Sequence, residues 1–155
     1  MSLSLRPRPD DEFDAWFPQM RDRYAADMAR DAGVDPDKAA AMAASQMDAL
    51  FPGRVPSPEQ LVYVLEADGE RVGELWLCDR DEAVQHALFI YFVGIDSQHR
   101  GKGYGKAAME LVESEARRLG VDRIALNVFG RNEVARNLYR SPGYEENAVS
   151  MTKKL

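Results

Sequence analysis

A single cysteine, Cys78, stands in the 155-residue chain, so no internal disulfide can form. That excludes the stapled framework of small secreted domains and makes a reducing cytoplasm the expected location. No histidine lies near Cys78 in the sequence, so the residue reads as a small core side chain on a strand rather than as a nucleophile. No apolar run approaches the ~20 residues that cross a bilayer, and the first residues lack the apolar heart of a signal peptide, so no membrane partner is expected. Positive charge is in deficit. The 20 Lys and Arg against 26 Asp and Glu leave a net charge of −6, which argues against nucleic acid as a general partner. The acidic balance suits a cationic small molecule, although surface charge also serves solubility. Repeats, linkers and low-complexity tracts are absent, so residues 1–155 read as one α/β domain, its sheet mostly antiparallel.

What is present falls into a clear order of elements. Ser2-Leu3-Ser4-Leu5-Arg6 alternates like a first strand, ended by Pro7 and Pro9. Asp10 or Asp11 is the expected cap of a helix carrying Phe13, Trp16 and Phe17, which Pro18 should break or kink before Met20, Tyr24 and Met28 continue it to Gly33. Asp35-Pro36 predicts a capped helix over 37–50, stopped by Phe51-Pro52-Gly53. The methionines and alanines of these helices read first as packing on a sheet and second as a pliable wall over an acceptor pocket. Strands follow at 61–66 and 72–78, joined by a tight Asp68-Gly69 turn. The run Asp79-Arg80-Asp81-Glu82 reads as a charged loop.

The chain is organised around the next stretch. Leu88 to Ile95 is a β-branched and aromatic run of buried-strand type, and Ala108, Leu111, Val112, Glu115 and Ala116 recur at helical intervals up to a stop at Gly120. Between them lie Gly101, Gly103 and Gly105, alternating with Lys102 and Tyr104 and flanked by Arg100 and Lys106. A strand, a glycine-rich turn and a helix N-terminus bring backbone N–H groups to bear on an anion. The segment from His99 to Lys106 is basic and holds no acid, which suggests one anionic ligand bound at one place. Two familiar phosphate loops do not fit. Gly101 and Gly105-Lys106 are one residue too close for a Walker loop, and Ala107 stands where its Ser or Thr would bind magnesium. The spacing Gly-x-Gly-x-Gly also fails the dinucleotide fingerprint, even though Asp122 lies near the distance of that fold's ribose-binding acid. After this helix, 123–129 reads as a buried strand. A short helix runs through Tyr139, Pro142-Gly143 ends it, and 144–155 reads as a weak final strand.

Arg100, Gly103 and Gly105 in the pattern Arg-x-x-Gly-x-Gly resemble the acetyl-coenzyme A loop of the GNAT superfamily of N-acetyltransferases. A second stretch resembles that family's other hallmark: Leu126 to Phe129 as a strand, then Asn132, Ala135 and Tyr139 on a helix, then Gly143-Tyr144. Both occur in the family's order, from Phe89 to Leu155. The resemblance implies the GNAT acyl-CoA N-acyltransferase fold, a mixed, mostly antiparallel sheet flanked by helices. It also implies acetyl-CoA as co-substrate and an amine as acceptor, with no metal. It implies that the pantetheine arm pairs with the backbone of Val93 and Ile95, that the pyrophosphate sits over Gly101, Lys102, Gly103, Tyr104, Gly105 and Lys106, and that Arg100 adds charge. Asn132 would contact the coenzyme or cap its helix, and Tyr139 would be the general acid. Dimers are frequent in the family, which leaves a homodimer open.

Amide formation from a thioester needs the thioester held, its carbonyl polarised, an uncharged amine and a proton for the departing thiolate. A thiol pKa near ~8.5 and a phenol pKa near ~10 make Tyr139 a feasible proton donor. The central strand carries no Asp or Glu as base. His86, Glu74 acting through water, or a water oriented by Tyr91 are the candidates. An acetyltransferase for an amine and a non-catalytic acyl-CoA sensor of the same fold both follow from the resemblance, and Tyr139 favours the enzyme. The acceptor is expected to be a small-molecule or peptide amine, and which one is not readable.

Overall fold

The computed structural model describes residues 2–81, 86–140 and 142–155. Five strands form one sheet in chain order: β1 (Leu3–Pro7), β2 (Gln60–Ala67), β3 (Glu70–Asp81), β4 (His86–Ile95) and β5 (Ile124–Leu126). Every neighbouring pair is antiparallel except β4 and β5, which run parallel. Helices α1 (Asp10–Asp31) and α2 (Pro36–Leu50) lie against one face, and α3 (Tyr104–Arg118) against the other. A short α4 (Glu133–Arg140) follows β5.

Alternation along the strands sorts the side chains between these layers. Leu75, Leu77, Leu88 and Ile90 pack with Ala108, Met109 and Val112 of α3, while Trp76 points the other way into Phe13, Trp16, Phe17 and Phe51. Cys78 is buried, as its strand position suggests, and accepts a hydrogen bond from the Gln60 amide. The Asp68-Gly69 turn has positive φ at both residues, +53° and +78°, the twist that a two-residue hairpin requires.

Four expectations need correction in kind, and a fifth, β5, in length. Helix α1 runs unbroken through Pro18. The missing N–H costs one backbone bond, but Phe13, Trp16, Phe17 and Met20 are buried on both sides of it, and their packing carries the helix across. Its cap position is Pro9, with no side-chain hydrogen bond, so Asp10 and Asp11 act as first-turn acids on the helix dipole instead. The charged run 79–81 is strand, not loop: Asp79, Arg80 and Asp81 pair with Leu88, Ala87 and His86. Arg80 lies 3.7 Å over the Phe89 ring, and Asp79 Oδ1 is 2.5 Å from His86 Nε2, so cross-strand partners absorb the charge. Glu82 lies outside the described residues. Residues 144–155 form no strand, and Val149 and Met151 are exposed. Acids at 145–146 and lysines at 153–154 leave too short an apolar row between them to bury.

Other expectations hold. Asp35 accepts from Lys38 N at 3.3 Å with Pro36 in the first helical position, and Gly120, at φ +72°, ends α3. Strand β5 is shorter than 123–129 suggests.

The feature that positions the site is one surplus residue in β4. Below it, Leu77 pairs with Ile90; above it, Trp76 pairs with Phe92, leaving Tyr91 as a bulge. Tyr91 and Phe92 therefore both face the α1/α2 layer, while Ile90 and Val93 face α3.

Close approach of β3 and β4 sets a test. A Cβ built on Gly73 falls 2.2 Å from the Gly94 carbonyl oxygen, a backbone atom that cannot rotate aside. Gly73→Ala should lower stability by roughly 1–3 kcal/mol, the range for overpacking, read as an earlier urea midpoint. An unchanged midpoint would mean that β4 yields freely there.

Candidate active site

Beyond the bulge, β4 has an unpaired edge. Asp96 N donates to Val72 O at 2.8 Å, so by antiparallel alternation the backbone groups of Gly94 and Phe92 also point to β3. Those of Val93 and Ile95 point to the opposite side, where β5 would lie. Strand β5 stops short, its last pairing being Leu126 with Ile90. Without the extra Tyr91, the groups aimed at this gap would have been those of Phe92 and Gly94. One of the exposed acceptors has a partner already: the Ile95 carbonyl accepts from Arg100 Nε at 3.1 Å.

The strand leads directly into the glycine loop. Gly101 and Gly103 have φ of +76° and +83°, left-handed backbone that glycine adopts without strain, and Gly103 is the N-cap of α3. A Cβ on either would meet no protein atom within 4 Å. Gly105 differs, since its Cβ would touch Leu138 of α4 at 3.6 Å, ordinary contact. Among the described residues, the first backbone N–H after Arg100 to find a protein acceptor is that of Ala107, on the Gly103 carbonyl at 3.1 Å. Six consecutive N–H groups, Gly101 to Lys106, are left free at the positive end of a 15-residue helix. Arg100, Lys102 and Lys106 are exposed around them and make no ion pair among the described residues. The Tyr104 ring is buried in the core, 6.4 Å from the His99 ring, so only its backbone is available to a ligand.

On the α1/α2 side of the β4 edge opens a cavity of about 840 Å³, counting its mouth. Its floor is Trp76, Tyr91, Phe92 and Val93. Met20, Tyr24, Asp27 and Asp31 of α1 make one wall and Gln46, Met47 and Leu50 of α2 another. The segment from Asn127 to Tyr139 closes the far side. Phe129 anchors that segment by packing against the cluster of Met28, Ala39 and Ala43 between α1 and α2. Asn132 caps α4, accepting from Ala135 N at 3.2 Å, and also lines the cavity. Tyr139 lies two turns along the same helical face and lines it too. Its ring is 5.8 Å from that of Tyr144, and burial pushes its phenol above the ordinary value near 10.

Val93, Asn132 and Tyr139 thus share one cavity with Tyr91, while Ile95 and the loop from Arg100 to Lys106 continue from the β4 end outside it. Two base candidates lie elsewhere. His86, at the far end of β4, is roughly 20 Å from Val93 by strand rise and sits against Asp79. Glu74 is held by Arg8 at 3.2 Å, Arg23 at 3.4 Å and Arg71 at 3.7 Å. The Tyr91 hydroxyl accepts from Arg80 at 2.5 Å. Sequence reasoning missed the bulge, because a continuous apolar run hides a shift in alternation. It also did not single out Asp27 and Asp31, which line the cavity.

Comparison with known proteins follows the same lines. The acetyltransferase (GNAT) family matches residues 8–144. The uncharacterized N-acetyltransferase YycN of Bacillus subtilis is 31% identical over 156 residues, spanning all of both chains. A second N-acetyltransferase of that organism described in the same words, YdgE, is 33% identical over 157 residues, 100% of this chain and 99% of its own. The crystal structure of YycN superposes with a TM-score of 0.91 over 99% of each chain at 30% identity.

The burial of Tyr139 is open to direct measurement. Subtracting the ultraviolet pH titration of Tyr139→Phe from that of the unaltered protein isolates one phenol. Its midpoint should lie above the usual ~10 because desolvation disfavours the phenolate. A midpoint at or below that value would place Tyr139 in water rather than in the cavity wall.

Proposed function

The chain belongs to the acetyltransferase (GNAT) family, and from that premise we propose that it moves the acetyl group of acetyl-CoA to a primary amine, with Tyr139 as general acid. The observation that carries the reading is the row of six free N–H groups from Gly101 to Lys106, placed where the unpaired edge of β4 ends. The residues fit the coenzyme on two further counts. Two left-handed glycines leave open space where a Cβ would stand, and three exposed cations without acid partners surround the amides.

The coenzyme supplies an activated acyl group on sulfur. The N–H groups of Gly101 to Lys106 bind its pyrophosphate, with Arg100, Lys102 and Lys106 adding long-range attraction. The outward backbone of Val93 and Ile95 takes the extended arm as an added strand would be taken. A backbone N–H on this edge is placed to donate to the acyl oxygen as it becomes negative. Arg100, through the Ile95 carbonyl, ties the loop to the strand and fixes their spacing. Asn132 holds the N-terminus of α4, and with it the direction of Tyr139.

In the reacting step the amine nitrogen bonds the acyl carbon and the C–S bond breaks. Tyr139 gives its phenolic proton to the departing sulfur, and the proton lost from nitrogen passes to water. Desolvation keeps Tyr139 protonated at neutral pH, and the same desolvation draws a proton back from solvent after each turnover. A phenol in the cavity wall favours turnover over mere binding.

Tyr139→Phe retains the ring and its packing and removes only the proton. Turnover should fall roughly a hundred- to ten-thousandfold, the range for losing one acid catalyst, with little change in the Michaelis constant for acetyl-CoA. Thiol release with an amine acceptor provides the rate. Full turnover in the variant, or a loss confined to coenzyme affinity, would remove Tyr139 from the chemistry.

A further inference from the structure

Resting on the acetyl-transfer reading, the same cavity carries information about its acceptor. The only charged side chains among its lining residues are Asp27 and Asp31. Among the described residues no Lys, Arg or His is part of the lining, and the cations that border it are already engaged: Arg30 with Asp27 and Asp31, Arg23 with Glu74 and the Phe92 ring, and Arg80 with the Tyr91 hydroxyl. Tyr24 and Phe129 add rings that can attract a cation, whereas the Tyr91 ring is stacked on Trp76 at 4.5 Å and already carries Arg80 at 5.1 Å.

The two acids occupy one end. Met20, Tyr24, Asp27 and Asp31 form a stripe along α1 at helical intervals. Met20 packs with Trp76, Tyr91 and Phe92 at the β4 end, where acyl transfer takes place. Asp27 lies ~10 Å and Asp31 ~16 Å further along the helix, by its 1.5 Å rise per residue. A β4 end without carboxylates, where Arg23 lies 4.6 Å over the Phe92 ring and Arg80 5.1 Å over the Tyr91 ring and both disfavour a further positive charge, therefore shares one cavity with an acidic remote end.

The acids are also held in a state that a ligand can take over. Arg30 Nη2 donates to Asp27 Oδ1 at 2.9 Å and to Asp31 Oδ2 at 2.8 Å. The Arg30 side chain is 64% exposed, whereas Asp31 is 9% exposed and Asp27 30%. The carboxylates face the cavity and their present cation reaches in from water. Burial raises the Asp27 carboxyl above its usual value and Arg30 opposes that shift, so a second cation would relieve the same desolvation.

We propose that the acceptor is a small alkyl di- or polyamine: its reacting amine lies neutral over Tyr91 and Phe92, and a second ammonium lies against Asp27 and Asp31 in place of Arg30. The remote charge, rather than the reacting amine, then sets acceptor choice.

Calorimetric titration without coenzyme tests this, with spermidine, hexylamine and aminohexanoate as probes. Spermidine should bind at least tenfold tighter than hexylamine, and aminohexanoate weakest. Asp27→Asn with Asp31→Asn should erase the spermidine margin, whereas Arg30→Gln should widen it by freeing both carboxylates. A merely structural role for this triad would not strengthen binding in the Arg30 variant. Equal affinities, preference for aminohexanoate, no spermidine binding, or a margin that survives in the double variant overturns the proposal. Thiol release from acetyl-CoA, followed separately, distinguishes the two readings. Transfer to hexylamine without spermidine preference leaves acetyl transfer standing and sinks the diamine. Tight, Asp-dependent spermidine binding with no transfer to any amine supports the cation site and sinks the acetyltransferase.

Discussion

Tyr91 has no partner across β3, and that one surplus residue reverses the alternation of β4 halfway along its length. Two consequences follow from the period of two. The backbone groups of Val93 and Ile95 turn toward the side that β5 vacates after Leu126, and the rings of Tyr91 and Phe92 turn together toward α1 and α2. A bulge thus creates an unpaired edge and a cavity floor in the same few residues. The layers on either side keep it in place. Leu75 and Leu77 are fixed against α3 on one face, and Trp76 is fixed among Trp16, Phe51 and Tyr91 on the other. Slipping β4 back into register would drive its buried row to the wrong layer.

The loop after β4 completes the arrangement by leaving its amides unspent. The first turn of α3 leaves its amides free as every helix does, and the left-handed turns at Gly101 and Gly103 extend that row of free donors back to where the strand edge ends. The segment after β5 brings Asn132 and Tyr139 to the same cavity, and Phe129 ties that segment to the helices opposite. A family resemblance visible in two short motifs therefore corresponds to neighbouring features of one surface: free amides, an unpaired strand and a partly buried phenol.

Much of this was legible in the residues, and the failures have physical causes. Asp35-Pro36, Asp68-Gly69 and Gly120 carry their conformations in their own chemistry, so a cap, a turn and a stop could be read locally. Pro18 could not, because Phe13, Trp16, Phe17 and Met20 outweigh a missing backbone bond only once the sheet is there to bury them. Asp79-Arg80-Asp81 looked like a loop because His86, Phe89 and Tyr91, which absorb its charges, come later in the chain and meet it only across β4. Tyr144 to Leu155 offered enough alternation to suggest a strand but too little apolar surface to hold one. Asp27 and Asp31 were not legible as cavity-lining residues, since only the packing of α1 against the 127–139 segment gives them a cavity to face.

The claim on which the rest depends is that Val93 and Ile95 present a free edge for the coenzyme arm. Amide hydrogen exchange, resolved by residue with and without a non-hydrolysable acetyl-CoA analogue, measures it directly. In the free protein the Val93 and Ile95 amides should exchange fast while those of Phe92 and Gly94, bonded to β3, are protected. On adding the analogue, Val93 and Ile95 should slow markedly and the amides of Gly101 to Lys106 should slow with them. Protection of Val93 and Ile95 before any analogue is added, or exchange that the analogue leaves unchanged, would contradict the account.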